Sequence, residues 1–224
     1  MKRLTVTAAC LLALATGATG CITSAKSVMV HRPTDATADA AVTTMWTQEI
    51  QGVARDGDWL LSRSYYAVGD VISLVAPGED LSHASIYDAK RKTVVESIGT
   101  GVREIPLADF LNRNHYVIVV RPSNMSAADR AHAVVRARTK VGLPFDIRGM
   151  LGIDDPDAWY CSELVYWASQ TEARAGASET VVTPADLMKY GEVIYWSGKR
   201  DDAGLLAIAT DRAERTRIRR TAQR

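Results

Sequence analysis

Cysteine is scarce in this chain: three residues in 224, at positions 10, 21 and 161. Cysteines and histidines nowhere cluster with metal-ligand spacing, so the sequence offers no zinc-type site. A glycine-rich phosphate loop is also missing, and with it the usual nucleotide cradle. Charge of either sign is not in excess, since Lys+Arg number 27 against 26 Asp+Glu, a net charge of +1. No general attraction to nucleic acid or to acidic ligands follows. There are no internal repeats. The apolar run near the N-terminus falls short of the roughly 20 residues that span a bilayer. What remains is an ordinary globular composition, 47% hydrophobic and 24% charged, of a length that suits one domain once the ends are set aside.

The ends carry their own signals. Met1-Lys2-Arg3 is cationic, Leu4 to Ala15 is almost wholly apolar, and Thr16 to Gly20 are small. That order is a secretory signal, expected over residues 1–20. The small residues stop at Cys21, and Ala18-Thr19-Gly20-Cys21 resembles the lipobox of bacterial lipoproteins, with alanine where leucine is usual. The resemblance implies acylation of Cys21 and anchorage to a membrane; the rival reading is secretion after a nearby cut. Ile22 rather than aspartate follows, which by the same analogy implies the outer membrane of a Gram-negative host. Residues 21–40, rich in Ala, Thr, Ser and Asp, read as the lipidated cysteine and a flexible tether. Residues 41–198 read as the folded domain. The basic stretch 199–224 reads as a helical, solvated tail rather than an anionic-lipid site.

Within the domain, Val42 to Ala54 suggests a short helix. From Asp70 short strands alternate with turns: Val71 to Val75, Ser82 to Tyr87, Thr93 to Ile98, Gly101 to Ile105, and His115 to Arg121 with its apolar Val117-Ile118-Val119-Val120. Ser126 to Val141 reads as a helix opened by a capping box of Ser126 and Asp129. Asp157 to Ser169 places Cys161, Leu164, Val165 and Ala168 on one helical stripe. Thr183-Pro184 opens another short helix, and Glu192 to Ser197 closes the domain as a strand. The predicted fold class is α+β, a small antiparallel sheet or half-barrel packed on the helix that carries Cys161.

Three residues in this arrangement suggest chemistry. If Tyr87 pairs with Lys92 across a four-residue turn, His83 stands opposite Glu96, with Cβ atoms roughly 5 Å apart on one face. A slip of one residue would separate them. A carboxylate could then hold one ring nitrogen and leave the other for a nucleophile. Cys161, the one cysteine left once signal and lipid site are removed, falls in the first turn of its helix. Free N–H groups and the helix dipole there favour a thiolate, and the Cys161 N–H could stabilise an oxyanion. Each residue also has an ordinary explanation: a core histidine, a paired carboxylate, a small buried hydrophobe. Tyr160 could donate a hydrogen bond to substrate or oxyanion, or simply pack at a helix start. Asp58 and Arg63 are candidates to line the cleft.

The segments Gly69-Asp70-Val71-Ile72, Leu81-Ser82-His83-Ala84-Ser85-Ile86-Tyr87, Val94-Val95-Glu96-Ser97, Tyr160-Cys161-Ser162-Glu163-Leu164-Val165 and Thr183-Pro184-Ala185-Asp186-Leu187 occur in that order. Together, over roughly Asp56 to Ser197, they resemble the YiiX/YebB-like group of permuted papain-like hydrolases within the NlpC superfamily. In that group the histidine precedes the cysteine. The resemblance implies His83 as base, Glu96 as orienter and Cys161 as nucleophile, with no metal or organic cofactor. Ser85 departs from the glycine that relatives often carry. The expected substrate is an amide bond of a peptidoglycan stem peptide. A lipid amidase, esterase or acyltransferase is the alternative, and a non-catalytic lipoprotein binding wall or lipid is the third reading.

Overall fold

The computed structural model of the chain describes residues 25–75, 80–175 and 180–223. Its strands are β1 (Trp59–Ser64), β2 (His83–Asp88), β3 (Thr93–Ile98), β4 (Gly101–Pro106), β5 (Asn114–Pro122) and β6 (Gly191–Trp196). They form one six-stranded sheet in the order β4-β3-β2-β1-β5-β6, every neighbouring pair antiparallel. The helices are α1 (Ala36–Val53), α2 (Ala67–Val75), α3 (Leu107–Asn112), α4 (Ala127–Arg138), α5 (Cys161–Ala168), α6 (Thr171–Ala175) and α7 (Ala203–Ala222), with 3₁₀ turns at Gly149–Leu151 and Asp186–Tyr190. The predicted α+β class is therefore the observed one. No described helix is long and apolar enough to cross a membrane.

The sheet is covered on both faces. On one, Leu61, Ala84, Ile86, Val95 and Ile118 pack with Val134 and Ala137 of α4 and Leu164, Val165 and Ala168 of α5. On the other, Leu60, Tyr87, Val94, Val117 and Val119 pack with Trp46 and Ile50 of α1, Phe110 and Leu111 of α3 and Ala209 of α7. Successive strand residues point to opposite faces, so strands buried on both sides read as unbroken apolar runs. Val117-Ile118-Val119-Val120 is such a run. The sheet is open, with helices on both faces, where the sequence suggested a half-barrel on one helix as a possible form.

Several elements differ from their predicted extents. Val71 to Val75, expected as a strand, belongs to α2. A short apolar run does not by itself distinguish strand from helix, and both edges of β1 are already taken, by β2 and β5. Helix α1 starts at Ala36, not Val42, because Asp35 caps it by accepting from the N–H groups of Thr37 and Ala38. The segment just before it is docked. Ser27 donates to Asp70 at 2.6 Å, the Val28 N–H donates to the same carboxylate at 2.9 Å, and Lys26 bridges to Tyr66. The expected tether, 21–40, therefore includes packed residues from position 25. At the other end, α7 is helical as expected but lies along α1, with Ala209 buried. The capping box of Ser126 and Asp129 forms as expected. Residues 1–20 and Cys21 lie outside the described residues.

Candidate active site

The hairpin β2–β3 brings the first two candidates together by a register other than the predicted one. Tyr87 pairs with Val94, not Lys92, and Glu96 stands opposite Ser85. The turn is Ala89 to Lys92, closed by the Arg91 N–H donating to Asp88 Oδ1 at 2.9 Å, with Lys92 at φ +58°. The slip is two residues, an even number, so His83 and Glu96 keep a common face and meet diagonally. His83 Nε2 and Glu96 Oε2 lie 2.7 Å apart.

Glu96 is fully buried and has two further partners, neither of them anticipated. Arg103 Nε donates to Oε1 at 2.9 Å, and Arg113 donates to Oε2. Arg103 sits directly across from Glu96 because β3 and β4 join through the two-residue turn Gly99-Thr100, pairing Ile98 with Gly101. That turn, between two apolar runs, was the signal available in the sequence. Arg113 had none, for it follows α3 and reaches Glu96 only through the fold. Burial alone would raise the Glu96 carboxyl; His83 and the two guanidinium groups outweigh it and bring it down to about 2.

Cys161 is the first residue of α5, four residues inside the predicted helix start. Asp155 to Asp157 form a turn instead, with Asp155 accepting from the N–H groups of Ala158 (3.1 Å) and Asp157 (3.1 Å). The approach to Cys161 is fixed on both sides: the Trp159 N–H donates to Pro144 O at 3.0 Å, and Ser97 Oγ of β3 donates to Trp159 O. The Tyr160 N–H donates to Glu163 Oε2 at 3.0 Å, so the start of the helix is capped from within. The start of α5 packs against the start of β2, where His83 stands. The His83 ring and the Ala84 N–H both act on the Cys161 thiol and favour its charged form. With Nε2 committed to Glu96, Nδ1 is the ring nitrogen left for sulfur.

The electrostatics follow. Burial opposes charge on both partners, yet each favours the other's ion. His83 is raised to about 9 by its bonds to Cys161 and Glu96, and the Cys161 thiol is lowered by His83, the Ala84 N–H and Ser162. Both shifts run toward a thiolate–imidazolium pair. Cys161 keeps 7% of its surface and His83 8%, so the thiol is largely buried rather than displayed. As first residue of the helix, Cys161 also presents an N–H without an intrahelical acceptor.

The remaining candidates lie elsewhere. The Tyr160 hydroxyl accepts from the Val182 N–H at 2.9 Å, anchoring the segment after α6. Asp58 does not line a cleft: it is buried against Arg121 and the Arg55 N–H. Arg63 is likewise buried, bound to Asp70, Asp80 and Ser64 O. Glu163 is pushed up to about 7 by burial and by the neighbouring carboxylates of Asp146, Asp154 and Asp155.

A buried cysteine, histidine and carboxylate, with the histidine strand ahead of the cysteine helix, follow the chain order of a permuted papain-like fold. The chain belongs to the family of permuted papain-like amidase enzymes, the YaeF/YiiX, C92 family, whose pattern matches residues 53–189. It is thus an amide-cleaving hydrolase by family. Among solved structures it is similar to the protein described as metalloprotein YiiX from Escherichia coli O157:H7, with 22% identity and a TM-score of 0.45 over 55% of this chain and 67% of that one. No curated protein matches the chain.

Proposed function

We propose that this chain is an exported, lipid-anchored thiol hydrolase that cleaves amide bonds of peptidoglycan stem peptides through Cys161, His83 and Glu96. The supporting observation is the buried relay from sulfur to imidazole to a carboxylate that two arginines hold ionised. The Cys161 thiolate attacks the carbonyl carbon, and the oxygen's developing charge meets the Cys161 N–H at the helix start. Collapse breaks the C–N bond as the His83 imidazolium gives its proton to the departing amine. The neutral imidazole then takes a proton from water, whose oxygen attacks the thioester. The acid is released, and thiolate and imidazolium are restored. Glu96 keeps the ring oriented and favours its charged form throughout.

Export and anchorage rest on the residue order ahead of Cys21. They would bring the domain to the envelope, where stem peptides are the abundant amides. The test is digestion of purified sacculi by wild type and by Cys161→Ser, followed by mass spectrometry. New stem-peptide fragments from wild type alone are expected. Acyl release from phospholipid with no such fragments would move the substrate to lipids. A Cys161 that alkylates no faster than a free thiol would leave a non-catalytic binding protein.

A further inference from the structure

Beside the proposed catalytic centre lies a second cluster. Asp146, Asp154 and Glu163 each place a ligand atom so that all lie within 4.8 Å of one another. Carboxylates gather on surfaces without consequence, and this cluster is set apart by Asp146. That residue is only 2% exposed, its Oδ1 accepts from the Gly149 N–H at 2.7 Å, and its Oδ2 is buried with no hydrogen-bond partner. A buried carboxylate oxygen left unpartnered costs free energy. Among the described residues no lysine, arginine or histidine forms an ion pair with any of the three. The backbone makes room for that oxygen: a Cβ at position 149 would fall 2.2 Å from Asp146 Oδ2, so glycine is needed there.

We infer that Asp146, Asp154 and Glu163 bind a hard divalent cation of the calcium type, clamping the loop that precedes Cys161 onto the start of α5. The donors are all carboxylate oxygens, the set that suits hard cations rather than zinc or copper. Calcium, with its variable ligand number and flexible geometry, suits a mixed set of carboxylates better than magnesium, which demands a near-ideal octahedron. The site has a structural purpose. Asp146 and Asp154 bracket the loop, and Glu163, one turn into the helix, already holds the Tyr160 N–H. A cation joining the three would fix the residue next to Cys161 without touching the thiol, so these are positioning residues.

The test is calorimetric titration of the purified, chelator-treated full-length chain with Ca²⁺ alone, paired with thermal unfolding. One ion per chain is expected, with Tm rising by about 5–10 °C at a hundredfold excess over Kd. Asp154→Asn, at an exposed position, should weaken binding at least tenfold and leave the calcium-free Tm unchanged. Asp146→Asn, which preserves shape, should abolish binding. Absence of heat and of any Tm shift up to about 10 mM, above the weakest extracellular calcium sites, overturns the inference, as do unchanged affinities in both variants. Both readouts are independent of hydrolysis, so they stand whether or not stem peptides are the substrate.

Discussion

At the residue scale, Glu96 illustrates how a buried charge is made tolerable. Removing a carboxylate from water is costly, and one histidine would be a thin compensation. Arg103 and Arg113 supply the rest, so the carboxylate stays ionised while the ring carries a proton. Glu96→Gln leaves two guanidinium groups facing a neutral amide. It is expected to destabilise the fold by about 2–4 kcal/mol and to lower turnover by about 10²-fold through a misplaced ring. Urea melts and steady-state kinetics read the two effects separately. Cys161→Ser should instead leave the melt nearly unchanged and reduce hydrolysis by about 10⁴-fold or more.

The pH dependence has a definite sign at the same scale. His83 titrates higher folded than free, about 9 against 6.5. Its stabilisation is full below pH 6.5 and is lost as pH rises through 9. Glu96 titrates lower folded than free, about 2 against 4.5. Its contribution is full above pH 4.5 and is lost as pH falls toward 2. The proposed reaction needs the imidazolium as acid, so the alkaline limb of the rate profile is expected near pH 9. Glu96→Gln should move that limb to lower pH, because the carboxylate that holds the proton on the ring is gone. An unmoved limb in an otherwise folded variant would remove Glu96 from the relay.

At the element scale, the outcome turns on whether a hairpin slips by an odd or an even number of residues. Alternation made His83 and Glu96 legible as a pair in the sequence, and a two-residue difference in register left that pairing intact. The start of α5 was less legible, since Asp154 to Asp157 look like a helix opening and instead form a turn. Cys161 thereby became the first residue of its helix rather than one inside it. The loop ahead of it is held to the sheet at Gly101, whose φ is +106° and whose added Cβ would lie 2.5 Å from Leu143 O. The Val102 N–H donates to that same carbonyl at 2.9 Å, and Pro144 O next along holds Trp159. Gly101→Ala is expected to cost about 1–3 kcal/mol and to slow hydrolysis by displacing the loop before Cys161. A folded variant with lower turnover and a lower urea midpoint is the result to look for.

At the scale of the whole molecule, the packed unit reaches past the ends drawn from the sequence. Arg200, placed by sequence in the tail, is fully buried. It donates to Asn114 O at 3.1 Å, to Asp39 O at 2.9 Å and Oδ1 at 3.0 Å, and to Leu111 O at 2.6 Å. Its guanidinium also stands 4.5 Å from the Trp46 ring centroid. One side chain thus ties the segment before α7 to α1, to the first residue of β5 and to the end of α3. Arg200→Met should lower stability by about 3–5 kcal/mol, because Asp39 and two carbonyls lose their donor in a dry setting. Truncation at residue 198 should do at least as much; both are checked by thermal unfolding.

Sequence by itself determined the β2–β3 hairpin, the helix of Cys161 and the three residues that could share a reaction, while it passed over β1 and α3 and read the end of α2 as a strand. Period-two alternation and a helix start state those things locally. It did not determine what surrounds them. Arg113 at Glu96, Arg200 at Asp39, and Asp146 beside Glu163 are meetings of residues far apart along the chain, and no local rule encodes such distances. Only tertiary packing decides which charges are sealed from water together. In a low-dielectric interior that choice sets whether the thiol, the ring and the carboxylates carry charge at all.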